Sequence, residues 1–173
     1  MFTIGRVREK EHADACLTKP EDIERIHKVI DAVHDLLDGV LAVDASMSVL
    51  SAAFVEGGSG VWERTGAWIR KLASEYPVIN SAWAPIARHP SARIRFRVAA
   101  FLDDMPPPIR GELFPLLLND PSAKVRAKVA GDCRVISSSN DLEILATRRS
   151  EETDPIVVDS IDYVLSSQKS AGA

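Results

Sequence analysis

The sequence predicts an all-α protein, a right-handed α-solenoid of about eight helices with helical hairpins in its C-terminal half. Two observations predict this fold class. Residues 78–133 nearly repeat themselves after 31 residues, and a period of this size is typical of stacked helical units that share one core. In the preceding part of the chain, apolar residues recur at intervals of three and four, which is the spacing of one helix face.

The composition is that of a globular domain. Of 173 residues, 46% are hydrophobic and 27% are charged, which is ordinary for a chain with a core and too apolar for a disordered one. The two cysteines, Cys16 and Cys133, are far apart and form no metal-type pair, so we expect no disulfide framework, no zinc site and no cofactor. Because the sequence shows no apolar leader and no long apolar run, we expect a cytoplasmic protein without membrane contact.

The charges are distributed unevenly along the chain. Residues 1–63 carry 6 Lys/Arg against 12 Asp/Glu, residues 64–149 carry 14 against 8, and residues 150–173 carry 1 against 5. A basic middle therefore lies between acidic ends. Such segregation creates a field that can steer a charged partner or hold the molecule's own ends.

We expect a single domain over residues 1–173 that has four parts. These are an N-terminal arm, N-terminal helices, a repeat region and a flexible tail, at residues 1–19, 20–76, 78–167 and 168–173. Phe2, Ile4 and Val7 alternate and are followed by charged residues, which indicates an arm that is extended or loosely docked. The small polar residues at the end of the chain predict a frayed tail.

The first predicted helix begins at Pro20. Proline suits the first helical turn, and the acidic residues that follow it complement the helix dipole. An apolar stripe then recurs at spacings of four, three, four and three, at Ile26, Ile30, Val33, Leu37 and Val40. Gly39 predicts the end of this helix.

Two further helices are predicted before the repeats, at Leu41–Phe54 and Trp62–Tyr76. The glycine cluster between them, residues 56–60, has no preceding strand and no following Gly-Lys-Ser/Thr, so it predicts a flexible turn and not a phosphate loop. Three tryptophans, Trp62, Trp68 and Trp83, could form a stacking cage or part of the core. Since large aromatics dominate core burial, the core is favoured.

The two copies of the repeat agree best in a turn and the helix after it. Residues 89–99 (HPSARIRFRVA) align with residues 120–130 (DPSAKVRAKVA). Asp120 is a good N-cap before a proline, and a degenerate third copy places Asp154 before Pro155. The second helix of each copy is apolar on two sides, as the interior helix of a stack requires. In the first copy one side includes Ile94, Val98 and Leu102, and the other consists of Ala92, Phe96 and Ala99.

This pattern resembles HEAT and HEAT-like repeats over about residues 78–167. In that family an Asp in the turn and an Arg six residues later form a ladder along the stack. Asp120 and Arg126 match this pair, whereas the first copy keeps Arg95 and has His89 in place of the Asp. The third copy has an acidic residue where the Arg belongs. The resemblance therefore implies a helical stack with a partial ladder.

The strongest functional candidate is a row of basic residues on the second helices. In an α-solenoid these helices usually line the concave surface, so we expect part of the row to bind an acidic partner protein. The alternative is that Arg95 and Arg126 belong to the structural ladder and the others are solvated flanks. The candidate partner-binding residues are Arg93, Arg95, Arg97, Lys124, Arg126, Lys128, Arg88 and Arg134. Charge reversal at Arg93, Arg97, Lys124 and Lys128 should weaken binding with little loss of stability.

We expect a non-enzymatic protein-binding module, either a toxin-neutralising immunity protein, a role that suits small bacterial α-solenoid proteins, or an assembly scaffold. A nucleic-acid-binding protein related to HEAT-like DNA alkylation repair proteins is one alternative, because rows of Lys and Arg contact phosphates. The sequence pI of 5.6 disfavours it, since dedicated nucleic-acid domains have values above about 9.

A metal-dependent enzyme is the other alternative. His27, Asp31 and His34 lie on one side of the first predicted helix, Asp38 extends that side, and two His with one carboxylate can hold a metal. A ligand set from one helix is weak, and a solvated polar flank is favoured. The sequence contains no nucleophile elbow, HExxH motif or paired cysteines, so we expect no catalytic residue and no metal site.

Overall fold

The structure, a computed structural model, describes residues 5–132, 136 and 138–171, of which residues 168–171 are described by their backbone alone. The described residues form ten α-helices and no strand, so the all-α prediction is confirmed. Short 3-10 segments lie at Pro77–Ala82 and Leu102–Asp104. The helices are α1 (Arg6–Cys16), α2 (Pro20–Leu37), α3 (Val43–Glu56), α4 (Val61–Leu72), α5 (Trp83–Ala87), α6 (Ala92–Ala99), α7 (Pro107–Leu118), α8 (Ala123–Ala130), α9 (Ser139–Glu151) and α10 (Pro155–Ala171).

The chain divides into two compact units, Met1–Ala82 and Trp83–Ala173. The division lies close to the predicted boundary between the N-terminal helices and the repeat region. A single domain over residues 1–173 stays a prediction. At the end of the chain, α10 continues to Ala171, so residues 168–171 are helical where a tail was predicted.

In the first unit, α2 packs against α1, α3 and α4. Its buried stripe includes the predicted Ile26, Ile30 and Val33. The helix ends at Leu37, and Gly39 follows with a φ of 72°, a left-handed conformation that favours glycine. Because the helix stops there, Val40 is not the next residue of the stripe but lies outside the helix, 76% exposed.

The prediction of an extended or loosely docked arm is wrong for residues 6–16. These residues form α1, which packs against α2. The alternation that suggested an arm depends partly on Phe2 and Ile4, which lie outside the described residues. The helix is hidden from an apolar-periodicity search because Ala13 is its only buried residue. Its contacts with α2 are mainly ionic.

The glycine turn between α3 and α4 is held by a buried carboxylate. Asp22, at the start of α2, is 6% exposed and accepts a hydrogen bond from the backbone N–H of Gly58 at 3.0 Å. A Cβ at Gly58 would collide with the same carboxylate. Gly60 has a φ of 87°, and a Cβ at Gly57 would lie 2.6 Å from the Ala53 carbonyl oxygen, so the turn requires glycine at three positions.

The three tryptophans pack within the units to which they belong. Trp62 lies edge-on to Phe54 with ring centroids 6.1 Å apart, and Trp68 lies beneath the Lys71 ammonium. In the second unit, buried Trp83 stacks on Phe101 at 5.7 Å. Trp83 is therefore a core residue, as predicted, whereas Trp62 and Trp68 are only half-buried.

The described residues of the second unit form three helical hairpins, α5–α6, α7–α8 and α9–α10. The first helices contact one another in the order α5, α7, α9, and the second helices contact one another in the order α6, α8, α10. The predicted inner residues Ile94, Val98 and Leu102 are buried. Six of the eight predicted basic residues lie on the second helices α6 and α8, whereas Arg88 follows α5 and Arg134 lies outside the described residues.

Candidate functional site

The turns within the three hairpins of the second unit each contain the same kind of hydrogen bond. In each turn a side chain accepts a hydrogen bond from the backbone N–H two residues later. The acceptors are Nδ1 of His89 at 3.0 Å, Oδ1 of Asp120 at 2.8 Å and Oε1 of Glu152 at 3.0 Å. His89, Asp120 and Glu152 are therefore equivalent, and the His89 imidazole replaces a carboxylate in a role that only requires an acceptor.

The third turn differs from the sequence alignment, which paired Asp154 with Asp120. Glu152 occupies the position of Asp120. Asp154 lies two residues later, where it accepts a hydrogen bond from the Ile156 N–H at 3.0 Å and caps α10. The alignment was wrong because it matched the Asp-Pro pair at residues 154–155 to the pair at residues 120–121, whereas the equivalent acid lies 32 residues after Asp120.

Arg95 joins the first turn to the second. Its Nε and Nη2 donate to the two carboxylate oxygens of Asp120 at 2.6 and 2.8 Å. Its Nη1 donates to the carbonyl oxygens of His89 and Pro90, both at 2.8 Å. The planar guanidinium thus uses its two edges for two different turns, a geometry that lysine could not reproduce.

Arg126 repeats this arrangement one hairpin later. It donates to the two carboxylate oxygens of Glu152 at 2.7 and 2.9 Å. Its Nη1 donates to the carbonyl oxygens of Asp120 and Pro121 at 2.8 and 3.2 Å. We refer to Arg95, Asp120, Arg126 and Glu152 as the turn ladder. Each arginine contacts the carbonyl six residues before it and an acid 25 or 26 residues after it.

The turn ladder is largely withdrawn from solvent. The side chains of Asp120 and Glu152 are 3% and 1% exposed, and each ladder arginine is 12% exposed. Arg126 holds the pKa of the Glu152 carboxyl well below its usual range, and the backbone N–H of Asp154 and the Arg148 guanidinium, at 2.8 Å, contribute to the same shift. A buried carboxylate with this many donors is satisfied.

Sequence reasoning missed Glu152, because the search looked for an acid six residues before an arginine. The pair that marks the contact is an arginine followed by an acid 25 residues later, as in Arg95 and Asp120. Applied to Arg126 with a tolerance of one residue, that spacing finds both Glu151 and Glu152. Burial then separates the two, since Glu151 is exposed and Glu152 is buried.

Apart from Arg97 and Arg134, the predicted basic residues occupy three kinds of position. Arg95 and Arg126 belong to the turn ladder. Arg93 and Lys124 are exposed at equivalent positions of α6 and α8. Lys128 is half-buried, with its Nζ 3.6 Å from Asp132, and Arg88 is exposed, with bonds to the Ala84 carbonyl and Glu112. Arg134 lies outside the described residues.

Arg97 does not occupy the solvent-facing position that was predicted for it. It is 4% exposed, because it follows Ile94 by three positions and so lies beside the buried stripe of α6. Charge reversal at Arg97 would introduce a carboxylate into a buried environment. The expectation that this change leaves stability intact is therefore wrong for Arg97, and Arg93 and Lys124 remain the suitable residues.

The polar side of α2 is partly covered by α1, and the side chains of His34, His27 and Asp31 are 15%, 30% and 39% exposed. His27 Nε2 lies 2.7 Å from Asp14, Asp31 lies 2.7 Å from the Lys10 ammonium, and His34 Nε2 lies 3.4 Å from Glu9. The three residues weighed as metal ligands therefore each contact a side chain of α1. Within the described residues, no group of three or more His, Cys, Asp or Glu is arranged to hold a metal.

Arg6 gathers the acidic residues at the other end of the same surface. Its guanidinium lies 2.6 Å from Asp35, 3.7 Å from Asp31 and 3.5 Å from Asp38. The hydrogen bond that Arg6 donates to the Asp35 carboxylate raises the pKa of the Arg6 guanidinium. Three aspartates thus lie within 4 Å of a single arginine of α1.

Comparison of the chain with protein-family models, with curated proteins and with solved structures finds no match. Across the part of the chain that the structure describes, no helix has both the length and the apolar character of a membrane span. The surface of the second unit is therefore the basis for an assignment of function.

Proposed function

We propose that the protein is a non-enzymatic binding module that recognises an acidic surface on a partner protein. It does so through the solvent-exposed face of its second helices, which we call the outer face. The observation behind this proposal is that Arg93 and Lys124 are exposed at equivalent positions of two adjacent helices, α6 and α8. Each is two residues from a ladder arginine. The molecule thus presents cations in a row from positions that the turn ladder fixes.

The turn ladder supports binding because it preorganises the row. Arg95 ties the turn before α6 to the turn before α8 through a bidentate ion pair. The spacing between Arg93 and Lys124 is then set before a partner arrives, so less conformational entropy is lost on association. Exposed charges on such a surface mainly increase the association rate and the discrimination against wrong partners.

The architecture that best accommodates these contacts is a right-handed α-solenoid of HEAT-like hairpins. Three hairpins with equivalent turns, two rows of helices and a ladder between turns support this assignment. In such a stack the row of α6, α8 and α10 would form the concave surface. An immunity protein that neutralises a toxin and an assembly scaffold would both use this surface without any reacting group.

The test begins with affinity capture of the tagged full chain from its native lysate, with and without nuclease. A protein retained after nuclease treatment is then purified and titrated calorimetrically against wild type and the R93E/K124E variant. The matched control is R8E/K28E, which reverses two exposed cations of the first unit. Circular dichroism verifies that both variants are folded.

We expect R93E/K124E to weaken binding of that protein by about tenfold or more at low salt, and R8E/K28E to change it by less than about twofold. Equal binding of wild type and R93E/K124E would refute the proposal. Recovery of nucleic acid alone, lost after nuclease, would instead establish the nucleic-acid alternative.

A further inference from the structure

Two large apolar side chains of α10 are exposed on the second unit. Ile156 is 69% exposed and Tyr163 is 66% exposed. They are seven residues apart, so they lie on the same side of the helix, two turns from each other. The buried side of α10, at Val157, Ile161 and Val164, lies roughly 80–140° around the helix axis from Ile156. The helix therefore places a second apolar stripe in solvent.

This stripe faces the same way as the basic residues. The first buried residues of α6, α8 and α10 are Ile94, Val125 and Val157. The residues immediately before them are Arg93, Lys124 and Ile156. Because the three helices pack side by side in this order, these preceding residues form one row across the outer face.

The basic and apolar parts of the face are adjacent. A Cβ placed on Gly131, at the end of α8, would lie 3.7 Å from the Cβ of Ser160 in α10. Lys128 lies one turn before Gly131, and Tyr163 lies one turn after Ser160. The exposed cations Arg93 and Lys124 and the exposed apolar residues Ile156 and Tyr163 therefore lie on neighbouring helices, and Phe96 of α6 adds a further apolar side chain that is 38% exposed.

We propose that this outer face is bipartite, and that its partner segment is acidic where it crosses α6 and α8 and apolar where it crosses α10. This inference rests on the proposed function and specifies the chemistry of the partner. Burial of Ile156 and Tyr163 supplies the hydrophobic part of the binding free energy. Arg93 and Lys124 supply the electrostatic part.

The same charge pattern favours a protein segment over a nucleic acid. A nucleic acid carries a negative charge at every nucleotide. On α10 it would meet exposed Asp159, and also Asp162, which is already paired with Arg149 at 2.7 Å. A polyanion is thus repelled from the half of the face where an apolar peptide is attracted.

The test titrates the full chain with three probes: a peptide with a glutamate block followed by a leucine block, a peptide of glutamates alone, and oligothymidine of the same charge. Backbone NMR shifts locate binding, and affinity is measured for wild type, R93E/K124E and I156S/Y163S. The control is V7S/V40S, since Val7 and Val40 are exposed to a similar degree, 72% and 76%, in the first unit.

We expect the block peptide to perturb α6, α8 and α10 together. I156S/Y163S should weaken it about tenfold while leaving the glutamate peptide unchanged, and V7S/V40S should have no effect. If I156S/Y163S binds the block peptide as wild type does, or if oligothymidine perturbs α10 equally, the inference is overturned while the proposed function stands. If neither peptide binds, or if R93E/K124E binds both as wild type does, both fail.

Discussion

At Glu152 the chain buries a carboxylate and surrounds it with donors. The two oxygens accept hydrogen bonds from Arg126 and Arg148, and Oε1 also accepts from the backbone N–H groups of Thr153 and Asp154. An unpaired buried charge is strongly destabilising, whereas a paired one fixes geometry. The residue therefore determines how the third turn closes and where α10 begins.

We expect Glu152→Gln to reduce the free energy of unfolding by about 2 kcal/mol at neutral pH, because two charged donors lose their ionic acceptor. The depressed pKa of folded Glu152 adds stability that is present above the unfolded value of about 4.3 and is lost as the pH falls below it. The gap between wild type and variant, measured by urea denaturation, should therefore narrow in acid.

Glu151→Gln is the matched control for this change. Glu151 precedes Glu152 in sequence, but its side chain is 63% exposed and contacts Arg148 only at 3.9 Å. We expect a change of less than about 0.5 kcal/mol. If both variants were equally stable, the turn ladder would have no measurable role in folding.

Replacement of Gly58 and of Gly111 by alanine should change the free energy of unfolding in opposite directions. At Gly58 the added Cβ would collide with the Asp22 carboxylate, and we expect a loss of about 1–3 kcal/mol. At Gly111, inside α7, nothing lies within 4 Å of the added Cβ, and we expect a gain of about 0.5–1 kcal/mol from helix propensity. Thermal denaturation of the two variants should show shifts of opposite sign, and equal shifts would contradict the description of the turn.

At the scale of the element, α1 shows why a helix can escape prediction. Apolar periodicity is the main sequence signal for a helix, and α1 buries only Ala13. Its helical pattern is instead one of charge, with Arg6, Glu9, Lys10 and Asp14 all directed at α2. The helices with a clear apolar stripe, such as α2, were predicted at nearly their observed positions.

We expect the R6A/K10A variant to lose hydrogen-exchange protection in α1 with little change in global stability, because ion pairs that are partly exposed to solvent contribute weakly to folding. Raising the salt concentration of the wild type should have the same effect on α1, since screening weakens these pairs. Lys28→Ala removes an ion pair within α2, to Glu24, and should leave α1 protected. Unchanged protection in R6A/K10A would mean that other contacts hold α1.

The candidate surface was predictable only in part, and the reason is geometric. The 31-residue repeat identified Arg93 and Lys124 as equivalent, and the structure places both in solvent. The repeat also grouped these two residues with Arg97, which is buried. Sequence spacing alone does not show how wide the buried stripe of α6 is. The family pattern predicted that Arg95 and Arg126 belong to a structural ladder. It did not predict Glu152, which lies 26 residues after Arg126, whereas Asp120 lies 25 residues after Arg95.

At the scale of the whole molecule, each of the two units has a core of its own. Phe54, Leu50 and Ile69 are fully buried in the first, and Phe114, Leu117 and Leu118 in the second. We therefore expect residues 1–82 and residues 83–173, expressed separately, each to be helical and to unfold cooperatively. Circular dichroism and thermal denaturation would measure this, and a fragment without a cooperative transition would show that its core is insufficient.

The turn ladder has a direction and two ends. Its first turn contains His89, a neutral acceptor that needs no arginine from a preceding helix. Its last turn contains Glu152, and the residue six positions later is Val158, where the preceding turns have an arginine. Tandem duplication of a stretch that contains both Asp120 and Arg126 would insert a complete link, since it brings one acid for the preceding arginine and one arginine for the following acid. The gene could therefore lengthen from its interior without any compensating substitution, whereas growth beyond α10 would first require a new arginine.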